Sequence, residues 1–153
     1  IGLREVGGSE SNPVILRWAR DIQAPAWYAT DEQAWCAVFL NRILLACQMP
    51  LSGDGYDVLR AKSFETWGER MEAPALGAIL TFVRTGGGHV GFYVGERKDA
   101  YRVLGGNQSN AVSEAWIDKT RLTSVRWPPG RTVPEPRPVQ ILDTSGSTEG
   151  RFW

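Results

Sequence analysis

Histidine is almost missing from this 153-residue chain: His89 is the only one. Any histidine chemistry must therefore run through that position. Cysteine is nearly as scarce, with only Cys36 and Cys47. If both sit on one helix, eleven residues place them on the same face but about 16 Å apart at ~1.5 Å per residue. A disulfide needs Cα atoms within about 7 Å, so the two thiols are not expected to pair. A catalytic zinc takes about three protein ligands, often two or more of them His; one His and two separated Cys argue against metal here. No GxSxG elbow is present, which removes a serine nucleophile of that type. Neither sign of charge is in excess, 17 against 17, so general attraction to nucleic acid or anionic lipid is small. No apolar run approaches the ~20 residues of a membrane span; the longest, 37–46, is broken by Asn41 and Arg42. The chain opens on Ile1 rather than Met. That fits a processed N-terminus or a start inside a longer chain, and with no signal peptide visible the export route stays open.

What is present fits one domain of ordinary size. Asn12-Pro13 reads as an N-cap with proline at the first helical position, followed by a short helix over 14–21. The stretch 22–28, with one proline and two aromatics, reads as loop. A second helix is expected from Thr30-Asp31 to about Cys47, with Thr30 and Gln33 at capping-box spacing. It is apolar on most sides, as a helix buried mid-domain should be. A third, shorter helix is expected over 61–69. From Gly77 onward the pattern turns to strands: 78–83, 89–95, 101–104, 112–117 and 124–127. Helices first and strands afterwards indicate an α+β domain with an antiparallel sheet. Five prolines between 128 and 138 mark an arm or linker, and 146–150 looks flexible. The expected division is a catalytic domain over 1–129 and a Pro-rich arm over 130–153.

Among the residues able to do chemistry, a thiol needs a base, and the base needs an orienting partner. Cys36 falls in the first turns of the expected buried helix. There the helix dipole favours thiolate, and backbone N–H groups can hold an oxyanion. Cys47, at the far end, lacks this help and reads as structural. His89 opens a strand after Gly86-Gly87-Gly88. Alternation groups His89, Gly91 and Tyr93 on one face and Val90, Phe92 and Val94 on the other, the second set being the expected core face. Asn107, after Gly105-Gly106, can accept from an imidazole N–H and fix the tautomer; Gln108 is the fallback. Taken singly, Cys36 reads as a small core residue, His89 as a surface residue and Gly105-Gly106-Asn107 as a turn. In combination they give thiol on helix, His on strand and amide on the next strand, which is the order of a papain-like arrangement.

The chain also resembles the NlpC-type and CHAP-type peptidoglycan hydrolases, and most closely their small phage-type branch. The resemblance rests on Glu5-Val6-Gly7-Gly8, Asn12-Pro13, the block from Asp31 to Phe39 around Trp35-Cys36-Ala37, Gly77-Ala78-Ile79, Gly88-His89-Val90-Gly91-Phe92 and Leu104-Gly105-Gly106-Asn107-Gln108. It covers about 1–128. It implies a papain-like fold, Cys36 as nucleophile, His89 as base and Asn107 as the third polar residue. It further implies a bacterial peptidoglycan substrate, cut by an endopeptidase or by an N-acetylmuramoyl-L-alanine amidase. The action would be in the bacterial cell wall or periplasm, and a phage lysin, a virion-associated enzyme and an interbacterial toxin would share this chemistry. No cofactor is implied. Some CHAP relatives bind calcium upstream of the Cys, where Asp31 and Glu32 lie here. Two adjacent carboxylates supply too few oxygens for such a site, and a capping role near the helix start is expected instead.

Gln33 is an auxiliary candidate for the oxyanion hole, although its offset from Cys36 is shorter than in papain-like enzymes. Trp27, Tyr28, Trp35 and Trp67 are groove candidates, because aromatic faces cover sugars and peptide stems. Two other readings share the same residues. One is a lipid acyltransferase or thioesterase of the same fold, which would need an apolar acceptor surface. The other is a non-enzymatic wall-binding or phage-tail module with a relic site, which the Pro-rich arm and the tail 139–153 would suit as part of a larger assembly.

Overall fold

The computed structural model describes residues 1–7 and 10–142. It is α+β: two α-helices and short 3-10 turns precede a six-stranded antiparallel sheet. Helix α1 spans Pro13–Asp21. The Asn12 side chain accepts from the Val14 N–H at 2.9 Å, and proline occupies the first turn, where its missing N–H costs nothing.

Helix α2 spans Cys36–Ala46, so it begins six residues later than the capping pattern suggests. Thr30 and Gln33 do not form a capping box. The Gln33 Oε1 instead accepts from the Ala29 N–H at 3.1 Å. Asp31 is buried and gives its Oδ2 to the N–H groups of Val6 and Asn12, so it clamps the N-terminal segment rather than capping the helix. These competing bonds hold 30–35 as turns, and Cys36 becomes the first residue of α2 with Trp35 at its N-cap.

Seven residues of α2 are buried, from Cys36 to Asn41 plus Leu44. Full burial of an aliphatic or aromatic side chain stabilises by about 1.5–3 kcal/mol, which makes this helix the anchor of the first core. Its one deeply buried amide, Asn41, is satisfied by the Ser52 hydroxyl and N–H and by the Val58 carbonyl. Asn41 thereby ties the loop after the helix, including the 3-10 turn Gly55–Leu59, to the helix barrel. The helix expected over 61–69 is instead a 3-10 turn, Ala61–Thr66, followed by a two-residue strand β1, Glu69–Arg70.

The other strands are β2 (Ile79–Arg84), β3 (Gly87–Glu96), β4 (Ala100–Gln108), β5 (Ala111–Asp118) and β6 (Leu122–Trp127). Their order across the sheet is β1-β6-β2-β3-β4-β5. One core packs α1 and α2 against Ile79, Val90 and Val112, and a second joins Leu80, Phe82, Tyr93, Val103 and Ile117. Both faces of β3 are therefore covered. His89 pairs with Phe82 across the ladder and shares its face, and it is 2% exposed. The expectation of one core face and one open face is corrected: Val90 joins the first core, Tyr93 joins the second, and His89 is buried as well.

The Pro-rich segment leaves β6 and returns to the end of β3. Glu96 N–H donates to the Val139 carbonyl, Ile141 N–H donates to the Glu96 carbonyl, and the Tyr93 hydroxyl accepts from Val139 N–H. The arm is thus bonded to the sheet through 139–141. The expected flexible stretch 146–150 lies outside the described residues. Among the described residues no helix is long and apolar enough to cross a membrane.

Candidate active site

Cys36 stands at the N-terminal end of α2, where unpaired N–H groups collect. The Arg84 guanidinium and the backbone N–H groups of Val90, Ala37 and Cys36 itself favour the thiolate form. The Val90 N–H belongs to the peptide unit joining His89 to Val90, so the thiol lies against the backbone that carries the imidazole. Burial nevertheless dominates: it pushes the thiol up from its ordinary range, against Arg84 and the three N–H groups. Resting Cys36 is a neutral thiol, 4% exposed. It also lines an open cleft of about 240 Å³ with Ala34, Tyr56, Arg60, Lys62 and Arg84. Cys47 is a free thiol as well, but exposed, which corrects its reading as a structural residue.

His89 Nε2 lies 3.0 Å from Gln108 Oε1. The Gln108 amide nitrogen donates to the Val103 carbonyl at 3.1 Å and to the Ser113 carbonyl at 2.5 Å. Both amide hydrogens are thereby committed, so the oxygen faces the ring and Nε2 must carry the imidazole proton. In this tautomer Nδ1 is the basic nitrogen. Burial pushes His89 down to about 4, the Gln108 bond pulls the other way, and the charge on Arg84 adds to the lowering. At rest Cys36 is a neutral thiol and His89 a neutral imidazole.

The residue expected to orient the ring, Asn107, does not do so. The β4–β5 register shifts between Gly105 and Gln108, and Asn107 takes φ +57°. That bulge brings Gln108 to the imidazole and leaves Asn107 lining a second hollow of about 450 Å³ with Glu5, Glu32, Ala34, Arg84 and Asn110. The two preceding glycines make room. A Cβ on Gly105 would stand 3.0 Å from Gln108 Oε1 and 3.4 Å from His89 Nε2; one on Gly106 would stand 2.6 Å from Phe39 Cβ and 2.8 Å from the Trp35 ring.

The remaining expectations divide. Gln33 accepts at both its side-chain and backbone oxygens within its own loop, and it lines neither hollow. Trp35 is fully buried, with Nε1 donating to Glu5 at 2.6 Å. Trp67 is buried against Phe64 and donates to the Pro50 carbonyl. Tyr28 is buried too, and its hydroxyl is pushed up mainly by that burial. The aromatic lining the cleft is Tyr56, whose exposed ring neighbours exposed Trp27 at 5.9 Å between centroids.

Sequence reasoning missed Arg84. Its signal was position: the last residue of a strand, facing Gly87 across the turn that leads to His89. Arg84 Nε donates to the Gly88 carbonyl at 3.1 Å, which braces that turn. Among the described residues no group of three or more His, Cys, Asp or Glu could hold a metal ion. Comparison with protein-family models, curated proteins and solved structures finds no match to this chain.

Proposed function

We propose that the chain is a papain-like cysteine hydrolase that cuts amide bonds of bacterial peptidoglycan, with Cys36 as nucleophile, His89 as base and Gln108 as the residue that orients the base. The observation carrying this reading is the locked tautomer. Gln108 spends both amide hydrogens on backbone carbonyls and aims its oxygen at His89 Nε2, which leaves Nδ1 as the proton acceptor.

In this mechanism His89 Nδ1 takes the Cys36 proton as the sulfur attacks the substrate carbonyl. The N–H groups at the start of α2 and the charge of Arg84 stabilise the developing negative charge. The imidazolium then protonates the leaving amine, and water, activated by His89, releases the acyl group from sulfur. The chain would act in the cell wall or periplasm, on the stem peptide or on the bond joining it to the sugar.

Replacing Cys36 by Ala tests the reading. Clearing of purified peptidoglycan should be abolished while the melting temperature stays nearly unchanged. Clearing that persists would end the cysteine mechanism. The near-complete burial of Cys36 favours a second reading, a wall-binding module without turnover. Under that reading wild type and Cys36→Ala would sediment equally with peptidoglycan, and neither would release fragments.

A further inference from the structure

The two hollows beside Cys36 meet at Ala34 and Arg84, which line both. Their charges are opposite in sign. The half away from the thiol carries Glu5 and Glu32 with the amides of Asn107 and Asn110. The half containing the thiol carries Arg60 and Lys62, with Arg84 at the junction. The whole chain has no net charge, so this separation is local to the groove.

We propose that the groove selects a dipolar peptide: an ammonium seated against Glu32 and Glu5, and a carboxylate seated against Lys62 and Arg60, on either side of the bond presented to Cys36. This rests on the hydrolase reading and names the substrate class it would take. The chemistry of the walls supports it. Glu5 accepts from the Trp35 indole, which holds its carboxylate in place. Glu32 is exposed and supplies the accessible negative charge. On the other side Arg60 is bonded to Asp57 at 3.2 Å and lies over the Tyr56 ring at 5.7 Å. Asp57 offsets part of its charge but fixes the guanidinium beside an exposed aromatic face. Lys62 is exposed at the same wall. A ligand with both charges gains at both ends, and a ligand of one sign meets repulsion at one of them.

The test measures binding to the full-length Cys36→Ala protein, so that it reads the groove whether or not the enzyme turns over. Four matched synthetic stem tetrapeptides serve as probes: free, amine-acetylated, carboxyl-amidated and doubly blocked. The free peptide should bind tightest, each block should weaken it about fivefold, and the losses should combine in the doubly blocked peptide. Glu32→Lys should abolish the effect of acetylation alone, and Lys62→Glu the effect of amidation alone. Equal affinity for all four peptides, or losses that neither charge reversal alters, would overturn the proposal. If wild type fails to cleave any of the peptides yet binding follows this pattern, the hydrolase reading fails and the groove assignment stands. If cleavage occurs without charge preference, the reverse holds.

Discussion

One helix carries both cysteines, one at each end, and the two ends are chemically opposite. Cys36 sits where α2 begins, against three backbone N–H groups and near a guanidinium, beside a strand that holds a buried imidazole. Cys47 sits where α2 ends, among carbonyls, exposed and as the C-cap residue. Helix termini have opposite partial charges, so only the Cys36 end offers N–H groups that favour a thiolate. The comparison teaches that position on the element, rather than residue type, decides which thiol can be put to use. It also shows the cost: the supporting end is buried, and burial holds Cys36 protonated.

Under the proposed mechanism the largest expected effect comes from Gln108, which bonds the His89 ring. Gln108→Leu should lower kcat on peptidoglycan by about 10²-fold or more, the scale of a positioned general base. Asn107→Ala should change it by less than about tenfold, since Asn107 does not bond the ring in this geometry. Equal losses would return the orienting role to Asn107.

Burial of the base at the Cys36 end has its own signature. His89 lies near 4 in the folded chain against its ordinary 6.5. As pH falls, the unfolded chain therefore takes up this proton first. The stability His89 contributes is complete above 6.5 and drains away as pH falls toward 4. The loss amounts to about 3 kcal/mol for this shift. Urea unfolding of wild type and His89→Gln at pH 7.5 and pH 4.5 should show the extra slope in wild type only. Parallel curves would mean the imidazole is hydrated in solution.

Beneath the same end of α2, Gly106→Ala drives a Cβ into the Trp35 ring and Phe39 and should cost about 1–3 kcal/mol by overpacking. A neutral result by thermal unfolding would mean β4 can give way there. The smallest effect belongs to the other end: Cys47→Ala should leave both stability, within about 0.5 kcal/mol, and turnover unchanged. A loss of turnover would erase the distinction between the two thiols.

Much of this arrangement was legible in the residues. The Asn12-Pro13 start of α1 is a local device, read from two side chains and confirmed by the Asn12 bond. The strands after Gly77 announce themselves by alternation and turn residues, and Cys36 and His89 stood out because the chain offers so few alternatives. What escaped reading was set by contacts distant in sequence. Asp31 looked like a helix cap because nothing local shows that Val6 and Asn12 would claim its carboxylate. Asn107 and Gln108 are adjacent amides, and only a bulge in β4 decides between them. Trp35 and Trp67 have the size and polarity of groove residues, but both rings are buried and their indole N–H groups bond Glu5 and the Pro50 carbonyl instead. The arm over 128–138 reads as a linker, because the Tyr93 and Glu96 contacts that recapture it lie more than forty residues upstream.

The most direct test of the central claim is to catch the covalent intermediate. Protein mixed with stem peptide and quenched in acid within the first turnover can be digested and mapped by mass spectrometry. A thioester-linked acyl mass on the peptide containing Cys36, absent from the peptide containing Cys47 and lost in Gln108→Leu, is the expected result. Peptidoglycan cleavage with no such adduct, or an adduct on Cys47, would contradict it.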